Sequence, residues 1–427
     1  MKNPIQQWKD EVNKNISSNV KKLTSLKNID PTIVLTLANI LHNIKTDDYK
    51  QSEIKIPNHL IIDFLTVYLT NKKNLRQGGE ESGFLEISQK LVQFLITKKV
   101  LDNEGLLQEN IINLLLFPQS VYPFHLLEIL NTLYKSFDNF YQQNYKFTTQ
   151  DYIEIVKQGV SDIENHLSND LPKSIKESLI DLDWFKIDKK VYNKNLLESL
   201  SVKKNFEIEN IDWDTFLSKC VLESKPLFKY ENDFYLMNIS RLYCDGIKFF
   251  YNKILEVGTK ESENIRQDLS KNKFEDLVAK TFQEILPNAT IYKSCTYKNG
   301  ECDFLVIFSG TLLIIECKNG FVTDGLKNDG KREWYDDKKD KFQQQIVKPY
   351  EQAQRTKDYI FSDKFSGFTV DGKRINLDKN KIDKTFLISV TADYWGNLAA
   401  YPDKLKEYGV INFGSRLENN NQNPSKF

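Results

Sequence analysis

The chain has 427 residues, 40% of them hydrophobic and 12% aromatic, enough for two or three domains with cores of their own. Lys+Arg and Asp+Glu both number 59, which excludes a globally polycationic or polyanionic protein and leaves charge silent about partners. Five cysteines without a CxxC spacing, and four histidines that all precede residue 170, argue against a zinc site and fit a reduced, cytoplasmic setting.

The first stretch, MKNPIQQWKDEVNKN, has no apolar h-region, so no secretory signal is expected. No apolar run approaches the length of a bilayer span, and no membrane partner is expected. Residues 1–220 read as an all-helical regulatory or interaction region. Leucine- and isoleucine-rich patterns near period 3.6 cover 33–44, 60–69, 86–96, 110–116 and 126–137. His42, His59, His125 and His166 are isolated, and nothing here has catalytic spacing. A protein partner or an oligomer is expected to form through this region. Residues 221–265 read as a hairpin, with LFKY and FYLM flanking Glu231-Asn232-Asp233, followed by a connecting helix over 238–255.

Residues 266–427 form the third segment, with 26 basic and 23 acidic side chains. A helix is expected from about Asn272, with Phe274, Leu277, Val278, Phe282 and Ile285 as its apolar stripe. A strand over 290–297 follows, then two apolar strands joined at Ser309-Gly310. Next come a charge-dense loop over 319–340, a helix over 349–361, a turn at 370–373, a strand over 385–391 and a short one at 410–413. The fold class is therefore α+β: a helical N-terminal region before an α/β layer with a mixed central sheet.

The hairpin Gly300–Gly320, GECDFLVIFSGTLLIIECKNG, carries the chemistry. An even loop centred on Ser309-Gly310 pairs Phe308 with Thr311 and, counting outward, Asp303 with Glu316 and Glu301 with Lys318. Alternation puts these four charges on one face and Cys302 with Cys317 on the other. Two opposed carboxylates in an apolar strand pair need a cation between them, or one must stay protonated. They suit a hard divalent ion, Mg2+ or Mn2+, with waters and a substrate phosphate completing its shell. The Cys317 carbonyl is a further metal ligand to consider. Lys318 would orient or deprotonate a water, or stabilise charge on phosphorus. Glu275, beside the apolar stripe, either reaches this site or forms a capping box with Asn272. Gln352 and Gln345 are long neutral donors near the next helix. Lys331, Arg332, Lys338 and Lys339 either grip a phosphate backbone or belong, with Asp336 and its acidic neighbours, to a solvated charge run.

These residues resemble the PD-(D/E)xK nuclease superfamily and its restriction-endonuclease-like core. FEDLVAKTF with Glu275, CDFLVIF with Asp303, and IIECK with Glu316 and Lys318 carry the likeness. GECDFLVI followed by LLIIECKNG looks most like the nuclease-related (NERD-type) branch and Mrr-like enzymes. Pro349-x-x-Gln352 is similar to the proline–glutamine element of such nucleases. Cys302 stands where the family has a proline, and no histidine follows the Pro-x-x-Gln element. The resemblance covers roughly residues 270–415. It implies a metal-dependent endonuclease hydrolysing phosphodiester bonds of DNA, with RNA not excluded, in phage defence or DNA repair. Asp303, Glu316, Lys318, Glu275 and Gln352 would be its catalytic residues. The alternative is a nuclease-like module that binds nucleic acid or protein without cutting.

Overall fold

The computed structural model describes residues 4–26, 34, 64, 84–102, 123–162, 182–202, 225–237, 239–298, 300–320 and 343–392. The chain divides into two compact units, the second beginning at Gly258. That glycine takes φ +65° directly after a helix, the left-handed conformation that ends helices cheaply only for a residue without Cβ.

The first unit is mostly helical. Its described helices are α1 (Pro4–Ser25), α2 (Phe84–Asp102), α3 (Pro123–Leu133), α4 (Asp138–Tyr145), α5 (Thr149–Glu154), α6 (Lys194–Leu200) and α7 (Ile239–Val257). Phe249 and Phe250 of α7 interlock with Tyr141, Phe147 and Tyr152 of the α4–α5 segment, rings edge-on or stacked at 5.0–5.9 Å. The Tyr152 hydroxyl then donates to the Leu242 carbonyl, which removes the cost of burying it. The expected hairpin forms as β2 (Leu227–Tyr230) and β3 (Asp233–Leu236), with Glu231 at φ +55° in its turn. One short strand, β1 (Lys186–Ile187), lies inside the stretch read as all-helical and pairs with the open edge of β3. The helices expected over 33–44, 60–69 and 110–116 lie outside the described residues, Val34 and Phe64 apart.

The second unit opens on Thr259, whose hydroxyl caps α8 (Lys260–Asp268) in a capping box with Ser262. The helix does not stop there. It passes through a π turn, Leu269–Phe274, into α9 (Glu275–Ile285). The start expected near Asn272 is therefore an interior position, and of the two alternatives for Glu275 the capping box is not formed. Thr259 supplies the cap instead, and Asn272 turns its amide to Asp268.

Six strands make one mixed sheet: β4 (Thr290–Tyr297), β5 (Gly300–Phe308), β6 (Thr311–Lys318), β7 (Phe368–Val370), β8 (Lys373–Ile375) and β9 (Lys384–Thr391). Their order is β8-β7-β4-β5-β6-β9, and all neighbours are antiparallel except β6 and β9. A parallel pair needs a long crossover, and α10 (Lys348–Phe361) lies on it. This helix contacts β5, β6 and β9. Leu305, Leu312, Ile314, Ala353, Ile360 and Phe368 close the core on its side, each of them but Ala353 worth about 1.5–3 kcal/mol in burial. Two turns fix the strand pairing. Ser309 and Gly310 take φ +45° and +77°, and Asp371 and Gly372 take φ +48° and +73°, matching the right-handed strand twist. At Gly310 a Cβ would also press on the Asp383 carboxylate.

Candidate active site

The register counted from the turn holds along the hairpin: Phe308 pairs with Thr311, and the pairing continues to Phe304 and Ile315. There it stops. Continuing the ladder would bring the Cys317 N–H to the Cys302 carbonyl, but it donates instead to the Asp303 carboxylate, with N···Oδ2 at 2.7 Å. Lys318 turns its backbone carbonyl to Ala392, so alternation aims the backbone groups of Cys317 at the β5 side, into this opening.

Asp303 opens the sheet on its other side as well. Lys293 pairs with Phe304 and Cys295 with Cys302, but Ser294 and Asp303 between them do not pair. Ser294 takes φ +51° in mid-strand, a conformation that costs about 1 kcal/mol or more for a residue with a Cβ. Alternation breaks at this point. Cys302 and Cys295 pack in the same cluster as Leu305 and Ile314, whereas period two along β6 sends Cys317 to the side away from Ile314. The two cysteines expected on one face are thus on different ones. Glu301 does not pair with Lys318 either, because the β5–β6 register ends at Phe304 and Ile315.

Glu316 is the most confined of the charged side chains, with 1% of its surface exposed. Its Oε1 is buried without a hydrogen-bond partner. Burial, with the Asp303 carboxylate beside it, pushes its carboxyl up to about 8. Lys318, two residues along the strand, holds its Nζ 3.7 Å from Glu316 Oε2, within Coulombic reach but too far for a hydrogen bond. Glu275, 8% exposed, begins α9 directly after the π turn. Burial and then Asp303 raise its carboxyl to about 7. An ion pair between Asp276 and Lys293 ties this end of α9 to β4. Asp303, Glu316, Lys318 and Glu275 are thereby brought into one field, with Glu301 at its margin.

Gln352 is half-buried on α10, and its amide makes no hydrogen bond to these carboxylates. Gln345 lies on the π turn Gln343–Val347 that leads into α10 and is 4% exposed. Its carbonyl accepts the Ser389 hydroxyl, and Ser389 is the register partner of Glu316 on β9. Gly320 packs close beside it, where a Cβ would push the Gln345 amide aside. Asn319 is a site residue the sequence reading passed over: both polar atoms of its side chain are buried and unpartnered, directly after Lys318. Its type and spacing carried no signal of this. Lys331, Arg332, Lys338 and Lys339 lie outside the described residues.

The donor set fits a hard cation. Glu316 Oε1 is an orphaned buried acceptor, the Asp303 carboxylate faces it, and the Cys317 carbonyl points into the same gap. Among the described residues no group of three or more His, Cys, Asp or Glu side chains is arranged to hold a metal, so two carboxylates would carry the site with backbone and water. That set matches Mg2+, which keeps several waters, better than a transition metal.

Residues 270–373 match the family model of the nuclease-related domain. The matched stretch lies chiefly in the unit with the mixed six-stranded sheet, after the helical N-terminal region. No curated protein and no solved structure matches the chain. No helix among the described residues is long and apolar enough to cross a membrane.

Proposed function

We propose that the second unit is a divalent-cation-dependent nuclease hydrolysing phosphodiester bonds of DNA. The observation that carries this reading is the buried, unpartnered Glu316 carboxylate oxygen facing Asp303, with Lys318 alongside, inside a nuclease-related domain. Nothing in apolar packing accounts for that arrangement, since it leaves like charges together and an acceptor unsatisfied.

Asp303 and Glu316 would hold Mg2+ or Mn2+, with the Cys317 carbonyl as a further ligand. The Cys317 N–H fixes the orientation of the Asp303 carboxylate. When bound, such an ion polarises a phosphoryl oxygen and makes a coordinated water more acidic. Lys318 is not locked by a hydrogen bond to Glu316, so its ammonium is free to donate to the attacking water or to the phosphoryl oxygen that gains charge. Glu275, held near neutrality, can take up or hold a proton at the margin of the site. The likeness to PD-(D/E)xK enzymes points on to phage defence or DNA repair.

Cleavage of a plasmid and of labelled oligonucleotides with Mg2+ or Mn2+ tests this, comparing wild type with Glu316→Ala and Lys318→Ala. Both variants are expected to lose activity by roughly 100-fold or more. Equal rates in all three would refute the site. Tight DNA binding by a wild type that cuts under no metal condition would favour a binding module.

A further inference from the structure

The second unit has a pocket of about 290 Å³ in the sheet that carries the candidate active site, lined by Thr296, Lys298, Tyr359, Ser366, Thr369 and Arg374 among others. Its position follows from the strand register. Glu301 pairs with Thr296, Thr296 with Thr369, and Thr369 with Arg374. One row therefore crosses β5, β4, β7 and β8, starting two residues from Asp303. Three inter-strand steps of about 4.8 Å separate its ends by about 14 Å. Tyr297, also in the lining, lies within the field of both Arg355 and Glu316.

The lining suits an anion through its cations. The Thr296 and Tyr359 hydroxyls donate to the Thr369 and Gly367 carbonyls and the Ser366 hydroxyl pairs with the Tyr359 oxygen, which leaves the Thr369 hydroxyl to add to them. Lys298 and Arg374 are exposed cations with no carboxylate partner among the described residues. Arg374 spends one edge of its guanidinium on the Ser366 carbonyl, which orients the rest. Gly367, at φ +92°, brings the backbone so close to Asn376 and Ile375 that no side chain could replace its hydrogen, which keeps the floor narrow. The Tyr297 ring stacks on Tyr359 at 4.5 Å, which covers that face. The pocket thus presents chiefly positive charge. Two carboxylates border it: Glu301 at the end of the row towards the site and Asp371 in the β7–β8 turn.

The geometry points to a second binding site: this pocket takes a backbone phosphate of the DNA strand at a distance from the bond being cleaved, with Lys298 and Arg374 as its cations. This rests on the nuclease reading above and adds to it how the strand is held across the sheet.

The test is fluorescence anisotropy of labelled dT12 in EDTA, at 50 and 200 mM salt, with wild type, Lys298→Glu, Arg374→Gln and the double variant. Each single variant is expected to bind roughly 3- to 10-fold more weakly, and the double variant to lose about one to two in the slope of log K against log salt. Lys298→Glu breaks no contact in the fold, so it remains informative if Arg374→Gln unsettles the β7–β8 hairpin. Binding by the double variant within twofold of wild type, with the same slope, overturns the proposal, as does a wild type that does not bind dT12. Competition by dTMP as strong as by unlabelled dT12 overturns the strand as the source of the phosphate. Cleavage is read separately. If wild type cuts and Glu316→Ala does not while the double variant binds normally, the active site stands and the pocket falls. Pocket-dependent binding without any cleavage gives the reverse.

Discussion

Glu316 sets the terms at the scale of single residues. Its carboxyl is raised to about 8 from an ordinary 4.5, chiefly by burial. Between those two values the folded chain holds a proton that the unfolded chain has lost. Stability must then fall as pH rises from about 4.5 through about 8, because ionisation becomes a charge buried beside Asp303. Glu316→Gln removes that liability. In EDTA at pH 8.5 it is expected to be more stable than wild type by about 1–2 kcal/mol, with little difference at pH 5, while cleavage is lost. Urea melts at the two pH values check this; a wild type whose relative stability does not change with pH would contradict it. Mg2+ should raise the melting temperature of wild type, more at pH 8 than at pH 6, and leave Glu316→Gln unmoved. At a hundredfold excess over Kd the gain is about 2.7 kcal/mol. Asn319 follows the same logic. Replacing an amide whose two polar atoms lack partners by Leu should not destabilise the fold by more than about 1 kcal/mol.

At the scale of elements, the site depends on two departures from regular structure. β5 leaves the β6 ladder at Asp303, and β4 leaves the β5 ladder at Ser294. The strained Ser294 backbone, at φ +51°, flips the alternation that would otherwise carry Asp303 along with its neighbours. Ser294→Gly should be tolerated or slightly stabilising. Ser294→Val should cost about 1–3 kcal/mol and depress cleavage further than its stability loss explains, because a β-branched residue resists positive φ. Thermal melts and single-turnover rates on the same samples separate the two effects. A Ser294→Val variant with wild-type rate and stability would show the kink to be incidental. The π turn at Leu269–Phe274 acts likewise, immediately before the helix that brings Glu275 towards Asp303.

At the scale of the whole molecule, the division at Gly258 separates the helical unit from the unit that holds the candidate site. A fragment of residues 258–427 is expected to fold and to keep metal-dependent cleavage. Loss of the first unit should alter regulation or partner binding rather than the chemical step. Circular dichroism and plasmid cleavage by the fragment test this, and a soluble, folded but inactive fragment would assign the first unit a part in the site.

Much of this was legible from local chemistry. Ser309-Gly310 and Asp371-Gly372 announce their turns, since short-range φ preferences need no partner. The even turn sets the register from Phe308–Thr311 to Phe304–Ile315, and apolar runs bounded by such turns mark β5, β6 and β9. The mixed sheet and the pairing of acids with a lysine on β6 follow from those. What counting could not deliver lies past the point where backbone pairing fails. That Asp303 takes the Cys317 N–H, that Cys302 and Cys317 part to different faces, and that Glu301 loses Lys318 all result from competition between a side chain and the ladder for the same donor. The continuity of α8 into α9, the burial of Gln345 in preference to Gln352, and the unpartnered Asn319 are likewise tertiary results. They depend on what packs against each side chain from distant parts of the chain, and neither a period of two nor one of 3.6 encodes that.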